Sequence, residues 1–152
     1  MNSVVPAITD PLLKVKYIGF VTVAAVTVYE LAIKDIFVEF AKKKHKVLGN
    51  FTESYFDRIN GKIRTNVIQN EYLPRFGEKY ANQFKKKVTA AANAHLATHR
   101  RDIRSAYTNL IIWRNDFAHE GKFNTTATYQ EVVIAYEDGK KIIQCLAEAM
   151  VR

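Results

Sequence analysis

Polar side chains interrupt a run of apolar and aromatic residues between positions 111 and 123. The run reads IIWRNDFAHEGKF, and within it Arg114, Asn115 and His119 carry groups that can do chemistry. Histidine can accept or release a proton near neutral pH. Arginine can hold a phosphoryl group through planar, charge-assisted hydrogen bonds and can stabilise negative charge that develops on it. This set of residues suits phosphoryl transfer without a metal ion.

RNA would supply the missing nucleophile, because its 2'-hydroxyl can attack the adjacent phosphate and leave a cyclic phosphate and a 5'-hydroxyl. A single histidine serves either as the base or as the acid. A two-fold interface between two copies of the chain would bring in a second Arg114 and a second His119 and so fill both roles. We therefore expect RNA as the substrate, a homodimer with a composite site, and no cofactor.

The composition favours a phosphate-bearing partner and argues against several other classes of protein. The formal net charge of the 152 residues is +8, which attracts polyanions. The single cysteine, Cys145, excludes an internal disulfide, so a reducing cytoplasm is expected. His95 and His99 lie one helical turn apart without an evident third ligand, so they are interpreted as polar surface and no metal site is expected. The uncharged run at residues 17–29 is short for a membrane span, and the beginning of the sequence lacks a signal-peptide pattern.

Helical periodicity and capping signals predict an all-α fold. Asp10 and Pro11 begin a first helix, and the lysines before Gly49 end it. The β-branched residues at 21–28 locally favour a strand, but the longer three-and-four spacing favours a helix. Thr52 is predicted to cap a second helix and Thr128 to begin the last one. The prediction is a compact up-and-down bundle of four to five main helices, in a single domain spanning residues 1–152.

The helix that carries the polar residues is predicted from a seven-residue repeat. Its inward positions are taken to be Leu96, Ile103, Leu110 and Phe117. This orientation turns Ile111 and Ile112 outward, toward a second chain. It also places Arg100, Tyr107 and Arg114 on a basic, partly aromatic ridge that could follow a phosphodiester backbone, although a solvated cationic helix face explains the same pattern.

Further residues are expected to support the site or to hold flanking phosphates. The RNA-binding candidates are Lys85, Lys86, Lys87, Arg100, Arg101, Arg104 and Lys122. Glu30 occupies an inward position of the first helix, where an unpaired carboxylate would be costly to bury. It either orients Arg114 or His119 across the bundle or pairs with Lys34 along its own helix.

The element Arg114-Asn115-Asp116-Phe117-Ala118-His119 resembles the R-x4-H signature of the HEPN superfamily (higher eukaryotes and prokaryotes nucleotide-binding). The first helix with Glu30, residues 51–76 and the last helix are also similar to its RiboL-PSP-type group. The resemblance implies a helical bundle, a dimer, and a metal-independent RNase of toxin-antitoxin or antiviral defence systems, with an antitoxin or defence-complex subunit as a possible partner. It implies Arg114 and His119 as the catalytic pair, with Asn115 in support. Gly121 stands where members controlled by AMPylation carry tyrosine, so that control is not expected.

Two alternatives stay open at the level of sequence. The chain could be a non-catalytic HEPN module that binds nucleic acid or nucleotide, or that dimerises within a defence complex. It could also be a helical interaction protein in which Arg114 and His119 only satisfy the last carbonyls of their helix.

Overall fold

A computed structural model describes residues 4–57, 59, 61–120 and 127–151. The helices in chain order are α1 (Val4–Ala7), α2 (Pro11–Lys44), α3 (Lys46–Phe56), α4 (Thr65–Val67), α5 (Leu73–Phe76), α6 (Glu78–His99), α7 (Ile103–Glu120) and α8 (Tyr129–Ala149), with a π-helical turn at Ile68–Tyr72 between α4 and α5. The described ranges hold helices, turns and connections and no strand, which confirms the all-α helical bundle.

The long helix α2 begins and ends where its capping residues predict. The Asp10 carboxylate accepts a hydrogen bond of 2.8 Å from the backbone N–H of Leu12, and Pro11 fills the first helical position. Three lysines occupy its last turn, where their charges complement the helix dipole. The helix runs without a break through the β-branched residues at 21–28. Burial of one face of α2 therefore outweighs the local strand preference.

The second helix begins earlier than Thr52, so the predicted cap is wrong. Helix α3 starts at Lys46, and the Nδ1 atom of His45 accepts a hydrogen bond of 3.2 Å from the backbone N–H of Val47. Thr52 lies inside α3 and is 3% exposed. The acidic residues after Thr52 gave a plausible first turn, but the extended backbone at His45 sets the real start of the helix.

The seven-residue repeat across residues 96–117 spans two helices and not one. Arg100 has a left-handed backbone with φ of 55° and ends α6, so Leu96 belongs to a different helix and is 51% exposed. The buried positions of α7 are Ile103, Tyr107, Leu110 and Ile111. The prediction that Ile111 faces a second chain is therefore wrong. Ile103 and Leu110 point inward as expected, but the buried arc of α7 is wider than predicted and also includes Tyr107 and Ile111. Ile112, the other isoleucine, is 42% exposed.

Helix α8 closes the bundle against α2, α6 and α7. Thr128 and Glu131 form the predicted capping box. In the middle of α8, Gly139 lies against the other helices, where a methyl group would come within 2.5 Å of the Tyr29 hydroxyl and 3.3 Å of the Tyr107 Cα atom. The glycine thus allows α8 to approach α2 and α7 closely. Among the described residues, no helix is both long enough and apolar enough to cross a membrane.

Candidate functional site

Arg114 and Glu30 form an ion pair that joins α7 to α2. The Nη2 atom of Arg114 donates a hydrogen bond of 3.0 Å to Oε1 of Glu30. Both side chains are mostly buried, at 19% and 14% exposure. Lys34 pairs instead with Asp57, at 2.5 Å, so the geometry matches the first of the two alternatives for Glu30. The low exposure strengthens the attraction between the two charges relative to a surface pair.

The guanidinium of Arg114 has two further neighbours that restrict its orientation. Its Nη1 atom donates a hydrogen bond of 3.0 Å to the side-chain oxygen of Asn115. A Cβ atom at Gly61 would lie 2.9 Å from the same Nη1, so a side chain there would displace the guanidinium from this position. The Nε atom of Arg114 is buried and donates to no acceptor in the described part of the chain. Each Nη atom still retains one N–H that these hydrogen bonds do not use, which leaves donors for an oxyanion.

Two tyrosine hydroxyls anchor the segment that carries Gly61. Tyr107 donates a hydrogen bond of 2.7 Å to the carbonyl of Ile63, and Tyr72 donates one of 2.9 Å to the carbonyl of Lys62. Tyr107 is fully buried, and burial raises its pKa well above the usual value, so its hydroxyl stays protonated as a donor. The sequence offered no signal for this contact, because Tyr107 and Ile63 are 44 residues apart.

The predicted ridge of Arg100, Tyr107 and Arg114 does not form. Arg100 sits in the turn after α6, Tyr107 is inside the core, and Arg114 points toward Glu30. The seven-residue spacing that linked them requires one continuous helix, and α7 begins only at Ile103.

His119 lies near the end of α7 and is exposed. It follows Arg114 by five residues, which corresponds to about 7.5 Å along a helix axis. Thr108, Ile112, Asn115 and His119 are spaced by four, three and four residues and so lie along one face of α7. The histidine is therefore accessible to a substrate that also reaches the Asn115 side of the arginine. Asp116 beside them is half-buried.

The other predicted RNA-binding residues differ in how free their charges are. Lys85, Lys86 and Arg100 are exposed. Ion pairs join Lys87 to Glu148 at 2.9 Å, Arg101 to Asp138 at 2.6 Å and Arg104 to Asp102 at 3.3 Å. Lys122 and Gly121 lie outside the described residues. The three paired cations would have to exchange a carboxylate for a phosphate in order to bind RNA.

His95 is not a surface residue as predicted, because it is 5% exposed and belongs to a buried cluster between α6 and α8. Its Nε2 atom lies 2.9 Å from Oδ1 of Asp138, within ion-pair distance although without the alignment of a hydrogen bond. Arg101 holds the other side of the Asp138 carboxylate. The rings of His95 and His99 stack, with centroids 4.2 Å apart. No group of three metal-ligating side chains occurs in the part of the chain that the structure describes.

Comparison with known protein families identifies the chain. The sequence model of the RiboL-PSP-HEPN family matches residues 2–152. The chain belongs to the RiboL-PSP-HEPN family. No curated protein and no solved structure shows significant similarity to it. A HEPN domain of this kind is a nuclease or a nucleic-acid-binding module, so the cluster around Arg114 is the natural place in this RiboL-PSP-HEPN chain to look for that activity.

Proposed function

We propose that this RiboL-PSP-HEPN protein is a cytoplasmic, metal-independent endoribonuclease of a toxin-antitoxin or antiviral defence system. The observation that carries the proposal is the fixed guanidinium of Arg114, held by Glu30 and Asn115 on the helix that also presents an exposed His119. Attack by a 2'-hydroxyl on phosphorus needs a preorganised cation and an imidazole that can move a proton, and α7 carries both.

In the proposed mechanism, Arg114 binds a non-bridging oxygen of the scissile phosphate with its unused Nη hydrogens. His119 takes the proton from the 2'-hydroxyl, the new O–P bond forms, and the bond to the 5'-oxygen breaks. A second histidine protonates that leaving oxygen, giving a 2',3'-cyclic phosphate and a 5'-hydroxyl. Asn115 and Glu30 contact the arginine and position it, and do not touch the substrate.

The second histidine would come from another copy of the chain. Between residues 17 and 33, Glu30 is the only charged residue of α2, and it points to Arg114. The exposed apolar side chains of this segment include Phe20, Val28 and Leu31, at 65%, 48% and 57% exposure. A face of this kind is costly to leave in water and suits a symmetric contact. Phe20 also stacks edge-on against Phe117 of α7, with ring centroids 5.2 Å apart, so a copy that docks there lies close to the helix with the site.

Cleavage of RNA in EDTA tests the proposal directly. The purified protein should convert a labelled single-stranded RNA to fragments with cyclic phosphate ends, and the rate should fall by at least about 10²-fold in His119→Ala. His99→Ala is a matched control, because His99 is an exposed histidine on another helix. Activity that requires Mg²⁺, or that persists in His119→Ala, would contradict this mechanism.

A specific observation also favours a second function, which is binding of nucleic acid without cleavage. The carboxylate of Glu30 neutralises much of the charge of Arg114, and the arginine side chain is only 19% exposed. A HEPN module could hold RNA through its net charge of +8 without any contact between the RNA and that guanidinium. Retention of intact RNA, with an affinity that His119→Ala leaves unchanged, would favour this function over the nuclease.

A further inference from the structure

A small concave pocket lies beside the candidate site, between α7 and the segment that leads from Gly61 into α4. Its volume is about 190 Å³. The residues that line it are Arg64, Thr65, Asn66, Thr108, Ile111 and Ile112. Arg114 and His119 do not line this pocket, and no motif in the sequence points to Arg64 or Asn66.

The pocket combines an apolar floor with a hydrogen-bonding rim. Ile111 is 2% exposed and forms part of the floor, and Ile112 extends it. The polar residues around it are Arg64, Thr65, Asn66 and Thr108, whose side chains together can donate and accept hydrogen bonds. In the part of the chain that the structure describes, Arg64 forms no ion pair. Arg64 is also exposed, so a ligand can reach its side chain.

Two separate segments of the chain place the pocket next to Arg114. Ile111 precedes Arg114 by three residues of α7, which is about 4.5 Å along the helix axis. Arg64 follows Gly61 by three residues, and Gly61 lies against the Arg114 guanidinium. Thr108 and Ile112 also share the α7 face that leads to Asn115 and His119. A ligand group in the pocket would thus be attached close to a phosphate bound by Arg114.

The size and lining of the pocket fit a flat polar ring. Sites for whole small molecules usually measure about 300–1,000 Å³, well above the volume here. A single-stranded RNA can splay one base out of its stack and present the edges of that base to side chains. An isoleucine floor against the face of the ring, with hydrogen-bonding groups around its edge, meets both requirements of such a base.

We propose that this pocket binds one unstacked base adjacent to the scissile phosphate and prefers guanine. The proposal rests on the RNA-directed function proposed above and names its sequence preference. Guanine presents two acceptors, O6 and N7, that match the paired N–H donors of Arg64. Asn66 and Thr108 supply the remaining partners along the edge of the base. Adenine carries an amino group in place of O6, so a hydrogen-bond donor of the base would face the N–H donors of Arg64.

Mapping of cleavage sites in an RNA with one randomised segment tests this preference. The unmodified protein should cut next to guanosine, and the preference should fall about tenfold or more in Arg64→Ala and Asn66→Ala. Arg75→Ala is the charge-matched control, because Arg75 is an exposed arginine on α5 outside the pocket, and the preference should be unchanged. Equal base preference in Arg64→Ala and in the unmodified protein would overturn the proposal.

A binding measurement separates failure of the pocket from failure of the nuclease. With His119→Ala protein, isothermal titration should give guanosine monophosphate about tenfold higher affinity than the other three nucleoside monophosphates, and Arg64→Ala should abolish the difference. Selective binding of guanosine monophosphate, together with no RNA cleavage by the unmodified protein, would support the pocket and refute the nuclease. Equal binding of all four nucleotides would refute the pocket. Equal binding of the four nucleotides together with a change of oligomeric state in Thr108→Val, measured by sedimentation, would assign the pocket to a contact between copies and overturn the proposal.

Discussion

Arg114 of α7 donates a hydrogen bond of 3.0 Å to Glu30 of α2, and the two residues are 84 positions apart in the chain. The pair brings a carboxylate from the apolar helix α2 to Arg114, which lies with His119 in the second half of α7. It fixes the guanidinium and also offsets its charge. The free energy of unfolding and the rate of RNA cleavage can therefore show separately whether Glu30 stabilises the fold or orients Arg114.

The coupling energy between the two residues is the first prediction. In a double-mutant cycle of Arg114→Ala, Glu30→Ala and the double variant, the free energies of unfolding in urea should give about 1–3 kcal/mol of coupling. The same cycle on the exposed pair Lys87 and Glu148 should give less than about 1 kcal/mol, because solvent screens that pair. Equal coupling in the two cycles would show that the Arg114 pair is screened as well.

Local sequence signals predicted those helix ends that are set by local hydrogen bonds. Asp10 and Thr128 cap their helices as expected because a side chain three or fewer residues away closes the contact. Thr52 carried a similar pattern but lies within α3, since the extended backbone at His45, four residues after the last buried residue of α2, Ala41, begins that helix. The path of the folded chain therefore decides which of several capping patterns begins a helix.

The sequence places the residues of the candidate site on one helix, but it does not predict the contacts around them. Arg114, Asn115 and His119 are close in sequence, so one helix sufficed to place them together. Tyr107 was placed on a surface ridge because a seven-residue repeat was extended across the break at Arg100. The contacts of Arg114 with Glu30 and Gly61 depend on helix packing between distant segments, for which a single sequence carries no period or motif.

Gly61 should be required for the orientation of Arg114. With φ of 79° and an added Cβ atom 2.9 Å from Nη1, Gly61→Ala should lower stability by about 1–2 kcal/mol and reduce RNA cleavage at least about tenfold. Gly77→Ala is the matched control, because φ there is 127° and the nearest atom outside the backbone is 3.7 Å away, on Tyr80. It should cost stability and leave the cleavage rate of folded protein unchanged. Equal loss of activity in both variants would contradict a specific role for Gly61.

Tyr107 should act on the site through the Ile63 carbonyl. Removing its hydroxyl in Tyr107→Phe leaves that carbonyl without its 2.7 Å donor and should cost about 1–3 kcal/mol. Tyr29→Phe is the comparison, because the Tyr29 hydroxyl donates a hydrogen bond of 2.6 Å to the carbonyl of Tyr136 on α8 and none to the segment with Gly61. Urea unfolding should report similar losses for both variants, whereas only Tyr107→Phe should lower RNA cleavage and speed amide exchange in residues 61–65. Unchanged exchange there would show that the tyrosine does not anchor the segment.

Asp138 should make the fold sensitive to acid. Burial raises the pKa of its carboxyl, but the hydrogen bond from Arg101 and the charges of His95 and Arg101 outweigh that effect and hold the pKa below its usual value. A carboxyl with a lower pKa in the folded state stabilises the fold fully above its unfolded pKa of about 4, and this contribution is lost as the pH falls below that value. Asp138→Asn should therefore cost about 1–3 kcal/mol at pH 7 and less at pH 3, measured by urea unfolding at both pH values. Asp102→Asn, at an exposed pair with Arg104, should change stability little at either pH. A loss for Asp138→Asn that is the same at pH 3 as at pH 7 would mean that the carboxylate charge does not hold α8 to the turn after α6.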